Sequence, residues 1–256
     1  VVMFIVARLI LRVDLRSLFH SRRAMLLLSA AGLCVSCTWW LYIYAINSNQ
    51  VLQASLAYYI NPLVVILFGV LFFRERLTVV QLIATLLAAA GVLYFTFDYG
   101  HFPWLSVIMA VIFAIYGVLK KKGGYPALPA LAVETAVIAP LGLVFVIATF
   151  FLLPDRAFMA DPTSPHSWLL FALLFGSGPI TVLPLLFFAQ GTNAIPLSWM
   201  GFLQYIAPTI TFALGVFVYG EPFTFAHVVC FGLIWIGLIL ISIETILLFH
   251  RQGKPL

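Results

Sequence analysis

The chain has 256 residues, of which 64% are hydrophobic and only 8% charged, whereas soluble domains carry about 25% charged residues. Such a composition cannot clothe a soluble surface, and it excludes a water-soluble enzyme or nucleic-acid-binding domain. The 13 Lys and Arg against 8 acids leave a formal charge of +5, and these residues fall almost wholly in short breaks between apolar runs, where they report membrane orientation.

The first apolar run, 1–11, is about half the length of a membrane span, which needs roughly 20 apolar residues. Arg8 stands near its end and Arg12 and Arg16 follow it; a signal peptide carries its charge before the apolar stretch, so this run reads as the exit end of a truncated helix. Beyond Arg23 come uncharged runs at 24–46, 51–73, 78–97 and 102–119, and after Lys120, Lys121 and Lys122 four more apolar runs at 128–153, 167–190, 197–219 and 224–248. Each is long enough to span a bilayer as a helix. Basic residues mark 12–23, Arg74 with Arg76, Lys120 to Lys122, and the tail with Arg251 and Lys254, while the breaks at 47–50 and 98–101 hold neither Lys nor Arg. Alternation then puts the basic loops and the C-terminus in the cytoplasm. The long loop 154–166 falls outside, and its Asp155, Arg156 and Asp161 are mixed in sign.

An offset of 146 residues joins Asn47 to Asn193, Tyr59 to Tyr205, Pro62 to Pro208, Gly69 to Gly215, Glu75 to Glu221, Thr78 to Thr224 and Gly91 to Gly237. Paired polar residues, prolines and glycines in one ungapped register indicate a duplication. The charge-derived topology makes the two copies inverted, which requires an odd number of helices per copy. Five per copy fits if one whole helix precedes Val1, with a partial first repeat at 1–101 and a second at 102–256. The expected fold is an all-α polytopic membrane protein of inverted five-helix repeats, an architecture that lets two bundles rock about a central site.

Pro62 and Pro208 lie near mid-membrane in the matched spans. As helix-breaking residues they free the carbonyls of Tyr58 and Gln204 and open a polar spot in the core. Ser55, Tyr58 or Tyr59 and Pro62 share a helical face, as do Gly201, Gln204 or Tyr205 and Pro208, and Gln53, Ala57 and Asn61 form a neighbouring stripe. Two readings stay open: these groups face a solute, or they only bond neighbouring helices. Trp39, Trp40, Tyr42 and Tyr44 form either an interfacial aromatic belt or a stacking wall for a planar ligand.

Glu134 is the one charged side chain well inside an expected span, with Glu244 near a helix end where it can reach towards Arg251. An intramembrane acid faces a cavity or partner and is a proton-coupling candidate; the alternative is a later helix start that leaves Glu134 a solvated first-turn acid. Glu75 and Glu221 read as turn residues before the N-cap candidates Thr78 and Thr224. The C-x-x-C of Cys34 and Cys37 lies in an apolar run and the five histidines share no ligand spacing, so no disulfide, metal or cofactor is assigned.

The stretch 39–47, the segment 58–63, Arg74-Glu75-Arg76-Leu77, the segment 201–208, Tyr219-Gly220-Glu221-Pro222 and Val133-Glu134-Thr135 with Pro140 together resemble the RarD-type chloramphenicol-sensitive proteins of the EamA branch of the drug/metabolite transporter superfamily. The resemblance covers essentially the whole chain and implies a ten-helix fold with cytoplasmic termini and a central cavity, its first helix and part of its second missing here. Thr38 stands where that family is expected to have Asn. The expected function is secondary transport of small metabolites or drugs across the bacterial inner membrane, by alternating access, outward and proton-coupled. Substrate contacts are expected from Trp39, Gln53, Tyr58, Tyr59, Asn61, Gln204 and Tyr205. The expected partners are a small-molecule solute and membrane lipid, with no nucleic acid and a homodimer as the candidate assembly. A non-transporting scaffold or sensor is the alternative. An intramembrane enzyme is disfavoured because no nucleophile with its base, or metal-spaced ligand set, is present.

Overall fold

The computed structural model describes residues 16–98, 100–152, 167–217 and 224–252. The run 1–11, the loop 154–166, Glu221 and Lys254 lie outside the described residues. Those described form ten helices: α1 Arg16–His20, α2 Arg22–Asn47, α3 Val51–Phe73, α4 Val79–Asp98, α5 Trp104–Gly123, α6 Ala127–Leu152, α7 Ser167–Ala194, α8 Leu197–Gln204, α9 Ile206–Phe217 and α10 Phe225–Gln252. Among them seven segments have the length and apolar composition to cross a membrane. Large apolar side chains such as Phe97, Phe151 and Phe217 stand exposed on these helices, as a surface solvated by lipid requires.

Local chemistry explains the helix ends. Ser21 Oγ accepts from Ala24 N–H at the start of α2. At the start of α4, Thr78 Oγ1 accepts from Gln81 N–H while Gln81 Oε1 accepts from Thr78 N–H, both at 3.1 Å, a reciprocal capping box. The matched position before α10 pairs Thr224 Oγ1 with His227 Nδ1 at 2.6 Å. Both threonines thus stand where the sequence suggested caps. The α5–α6 turn uses Gly124 at φ +61°, a left-handed conformation that glycine takes without a Cβ clash.

The two expected breaks behave differently. α3 runs unbroken through Pro62, so this proline does not act as a helix break. Gly201 packs on this stretch, its backbone so close that a Cβ there would sit 2.8 Å from Pro62 O and 2.5 Å from Ile66 Cγ1. The later span is interrupted at Tyr205, between α8 and α9 and three residues before Pro208.

The chain divides into two compact units. One comprises 1–36 and 119–194. In it Leu18, Ala24, Leu28, Ala130 and Val133 form a core, and α2 approaches α6 at Gly32, where a Cβ would meet Glu134 O at 3.2 Å. The other comprises 37–118 and 195–256, with a core of Leu56, Tyr59, Phe95, Tyr205, Cys230, Phe231 and their neighbours. These are spatial groupings, and each takes residues from both sequence halves.

Within the second unit the helices matched by the 146-residue offset pack on each other. A Cβ on Gly91 would lie 3.0 Å from Cys230 O, and one on Gly237 would lie 3.1 Å from Ala84 O. Because Cys230 is the offset partner of Ala84 and Gly237 that of Gly91, this contact is reciprocal, the pattern a two-fold relation produces. It also makes α4 and α10 antiparallel. In the same way Gly69 of α3 meets Ser198 while Pro62 and Ile66 meet Gly201, so α3 and α8 run in opposite directions. Small residues permit this backbone approach, from which helix packing in lipid draws its van der Waals energy.

Candidate functional site

The α5–α6 hairpin builds the first candidate site. α5 continues as helix to Gly123, so Lys120, expected in a cytoplasmic loop with Lys121 and Lys122, instead ends a buried helical turn. Its Nζ lies 2.7 Å from Glu134 Oε1, and the two side chains are 3% and 2% exposed. The reading of Glu134 as a solvated first-turn acid is therefore overturned. Glu134 has a buried cationic partner in Lys120. The physical reason is that an ion removed from water needs a counter-ion within bonding distance. Lys120 is the residue sequence reasoning missed. Its signal was the short glycine turn after it, which folds the last turn of α5 back onto the second turn of α6.

Glu134 also fronts a cleft of about 440 Å³, walled mainly by apolar side chains including Leu131, Ile138, Leu143 and Leu185, with Ser36 and Thr135 adding hydroxyls. That volume is within the usual range for small-molecule sites, about 300–1,000 Å³.

The second unit holds the other expected residues. Asn61 Nδ2 donates to Gln204 Oε1, joining α3 to the last residue of α8 at the interruption. The buried atoms Asn61 Oδ1 and Gln204 Nε2 have no hydrogen-bond partner among the described residues. Tyr58 is half-exposed and meets Tyr42 edge-on at 5.8 Å, and Tyr42 in turn meets Trp39 at 6.1 Å. Tyr58, Tyr42 and Trp39 thus make a continuous aromatic row.

Three of the expected contacts sit elsewhere. Tyr59 and Tyr205 are 8% and 1% exposed; Tyr59 packs edge-on against Phe95 and Phe231, and Tyr205 Oη donates to Tyr59 O at 3.5 Å. Both are core; for Tyr59, one helical step from Tyr58 turns the ring from the open face into the bundle. Gln53 is held at the end of α3, where it donates to Gln50 Oε1, accepts from Leu105 N–H, and its carbonyl accepts from Ser106 Oγ. It ties α3 to α5.

Two acids expected at helix ends also hold distant elements. Glu75 Oε1 and Oε2 accept from the N–H groups of Leu197 and Ser198 at 2.7 and 2.8 Å, so it caps α8 rather than merely ending α3. Glu244 Oε2 accepts from Thr78 Oγ1 at 2.9 Å. Among the described residues no group of three or more His, Cys, Asp or Glu has the arrangement of a metal site.

Long apolar helices and close glycine-mediated packing define a multi-pass helical membrane protein. The comparisons narrow that class. Residues 1–97 and 103–243 match the EamA-like transporter family. The chain is 41% identical over 233 residues to the uncharacterized transporter YojE of Bacillus subtilis, covering 91% of this chain and 75% of that protein. It is 36% identical to the protein RarD of Streptomyces exfoliatus, covering 94% and 75% of the two chains. It is 33% identical to the protein RarD of Escherichia coli, covering 94% and 79%. A solved crystal structure of a protein 22% identical superposes with a TM-score of 0.66 over 99% of this chain and 85% of that one, which shows the shared fold. The chain belongs to the EamA-like transporter family, as a transporter of the RarD type.

Proposed function

We propose that this transporter is a secondary exporter of small metabolites or drugs in the bacterial inner membrane, working by alternating access and coupled to protons through Glu134. The observation that carries the coupling is the buried Lys120–Glu134 pair at 2.7 Å beside the 440 Å³ cleft. A buried pair is costly to break by removing one partner, at about 3–5 kcal/mol. A proton that neutralises Glu134 dissolves the pair and leaves the buried Lys120 ammonium without its counter-charge, so protonation changes which conformation the hairpin favours.

Alternating access draws support from the antiparallel pairing of matched helices, α4 with α10 and α3 with α8, since inverted bundles can exchange roles about a central site. The polar pair of Asn61 and Gln204 at the interruption before α9 supplies a second polar locus, and Tyr58 with Trp39 an aromatic wall. The bias of Lys and Arg puts the Lys120 to Lys122 end and the C-terminus in the cytoplasm.

The test is proton release on solute addition to the purified full-length protein, read with a pH dye over a panel of amphipathic drugs and small metabolites, wild type beside Glu134→Gln. Release that vanishes in the variant is the expected result. Solute binding without release in either protein would sink coupling through Glu134.

A further inference from the structure

The 146-residue offset carries Thr78 to Thr224, Gln81 to His227 and, in the other direction, Glu244 to Asp98. A polar triad at one end of the α4–α10 pair therefore has a counterpart at the other, with histidine in place of glutamine. At the first end Thr78 Oγ1 donates to Glu244 Oε2 at 2.9 Å while it shares the reciprocal cap with Gln81, which fastens the start of α4 to α10. At the second end the matching bond is not made: Thr224 Oγ1 pairs with His227 Nδ1 at 2.6 Å, and Asp98 is exposed. Asp98 is nonetheless placed for it. The ring of His227 meets Phe95 of α4 at 4.9 Å, and Asp98 lies three residues beyond Phe95, on the same helical face. Because α4 and α10 are antiparallel, one turn onward from Phe95 corresponds to one turn back from His227, which is Thr224.

We infer that His227 and Asp98 form a proton-binding site, whose occupation fastens this end of α4 to α10. In the neutral ring that carries its proton on Nε2, Nδ1 accepts the hydroxyl hydrogen of Thr224. A proton on Nδ1 reverses that bond. The imidazolium donates to Thr224 Oγ1, and the hydroxyl hydrogen is released to Asp98, as Thr78 gives its own to Glu244. The charges favour the same change. Asp98 ends α4, where the helix dipole opposes a carboxylate, and an imidazolium in the first turn of α10 meets a positive helix end; each charge relieves the other. Histidine has an ordinary pKa of about 6.5 and glutamine does not titrate, so only this end responds to the proton. The other side chains against the ring are Phe95 and Phe212, with Cys230 one turn along α10 in the core. Asp98 is the one charged residue of α4, and α9 has none. His101 follows in the α4–α5 loop, and Glu221 lies outside the described residues. The site stands on the α4–α10 pair and does not depend on coupling through Glu134.

The experiment is a double-substitution cycle on the purified full-length protein in nanodiscs of neutral lipid. Thermal midpoints are read at about pH 5 and about pH 8, either side of the ordinary histidine pKa. His227→Gln installs the residue of the matched cap, so it removes the titrating ring and keeps a capping side chain. Asp98→Asn removes the carboxylate. At the lower pH each single substitution lowers the midpoint by about 2–4 °C, and the double variant falls no further than either; at the higher pH both effects are small and add. Asp98→Glu, which copies Glu244, behaves as wild type at both. If Asp98→Asn does not yield folded protein, nitroxide labels at Leu93 and Val228, both exposed, read the same fastening. Their spread of separations narrows on acidification in wild type and stays fixed in His227→Gln. Additive effects at the lower pH, or label separations in wild type that ignore pH, overturn the inference. So does coupling of equal size at both pH values, for which a neutral ring suffices, and so does coupling of Asp98 to His101→Gln in place of His227→Gln.

Discussion

Glu75 shows how much one side chain can hold. Its two oxygens accept from consecutive N–H groups at the start of α8, an anion set where the helix exposes unsatisfied donors and the positive end of its dipole. Hydrogen bonds to a charged group contribute about 1.5–3 kcal/mol each. Glu75→Ala should therefore lower stability by about 2 kcal/mol or more, seen as a drop in thermal midpoint of the full-length protein, while Glu75→Gln, keeping one acceptor, loses less. Gly201 is constrained by space instead: a Cβ there meets Pro62 O at 2.8 Å and Ile66 Cγ1 at 2.5 Å. The isoleucine can shift but the backbone carbonyl cannot, so Gly201→Ala should cost about 1–3 kcal/mol. Gly142, whose Cβ would meet nothing within 4 Å, is the control, and its alanine variant should melt with wild type.

Between elements, the α5–α6 hairpin and the α8–α9 interruption carry the chemistry. Lys120→Met or Glu134→Gln alone leaves one buried partner without its counter-charge, and each should destabilise by about 3–5 kcal/mol if the remaining charge persists, whereas the double variant should recover most of that loss. Unfolding of all four proteins in one lipid composition checks this cycle. Pro208 and Pro62 should also differ in effect. The span with Pro208 is already interrupted at Tyr205, while α3 passes Pro62 unbroken. Pro208→Ala restores a backbone donor beside the interruption, and solute flux in proteoliposomes should fall more for it than for Pro62→Ala, with both proteins folded.

For the molecule in its membrane, the charge bias predicts that the Lys121 end of α5 faces the cytoplasm and the His101 end faces outward. In a protein cleared of its three cysteines, a cysteine at His101 should react with a membrane-impermeant maleimide added to intact cells, and one at Lys121 only after the membrane is opened. The reversed pattern would invert the topology and with it the proposed direction of transport.

Apolar run length and Lys and Arg placement alone determined that the chain crosses the membrane repeatedly and where most helices start and stop, because lipid forces every spanning backbone into helices long enough to cross it. Thr78 was legible as a cap candidate from local sequence, while its partner Gln81 emerged only in the structure. The offset between matched residues was equally legible, since it needs only identity at a distance. What only the tertiary structure decided is which side chain of each stripe faces what. Tyr58 and Tyr59 are adjacent in sequence, yet one stands half-exposed and the other lies in a core, and in a chain this uniformly apolar no polar face announces the difference. Lys120 read as loop because a lysine after an apolar run usually meets water. It is buried because the turn at Gly124 brings Glu134 within 2.7 Å of it, and that pairing depends on a fold-back of the chain that periodicity cannot express.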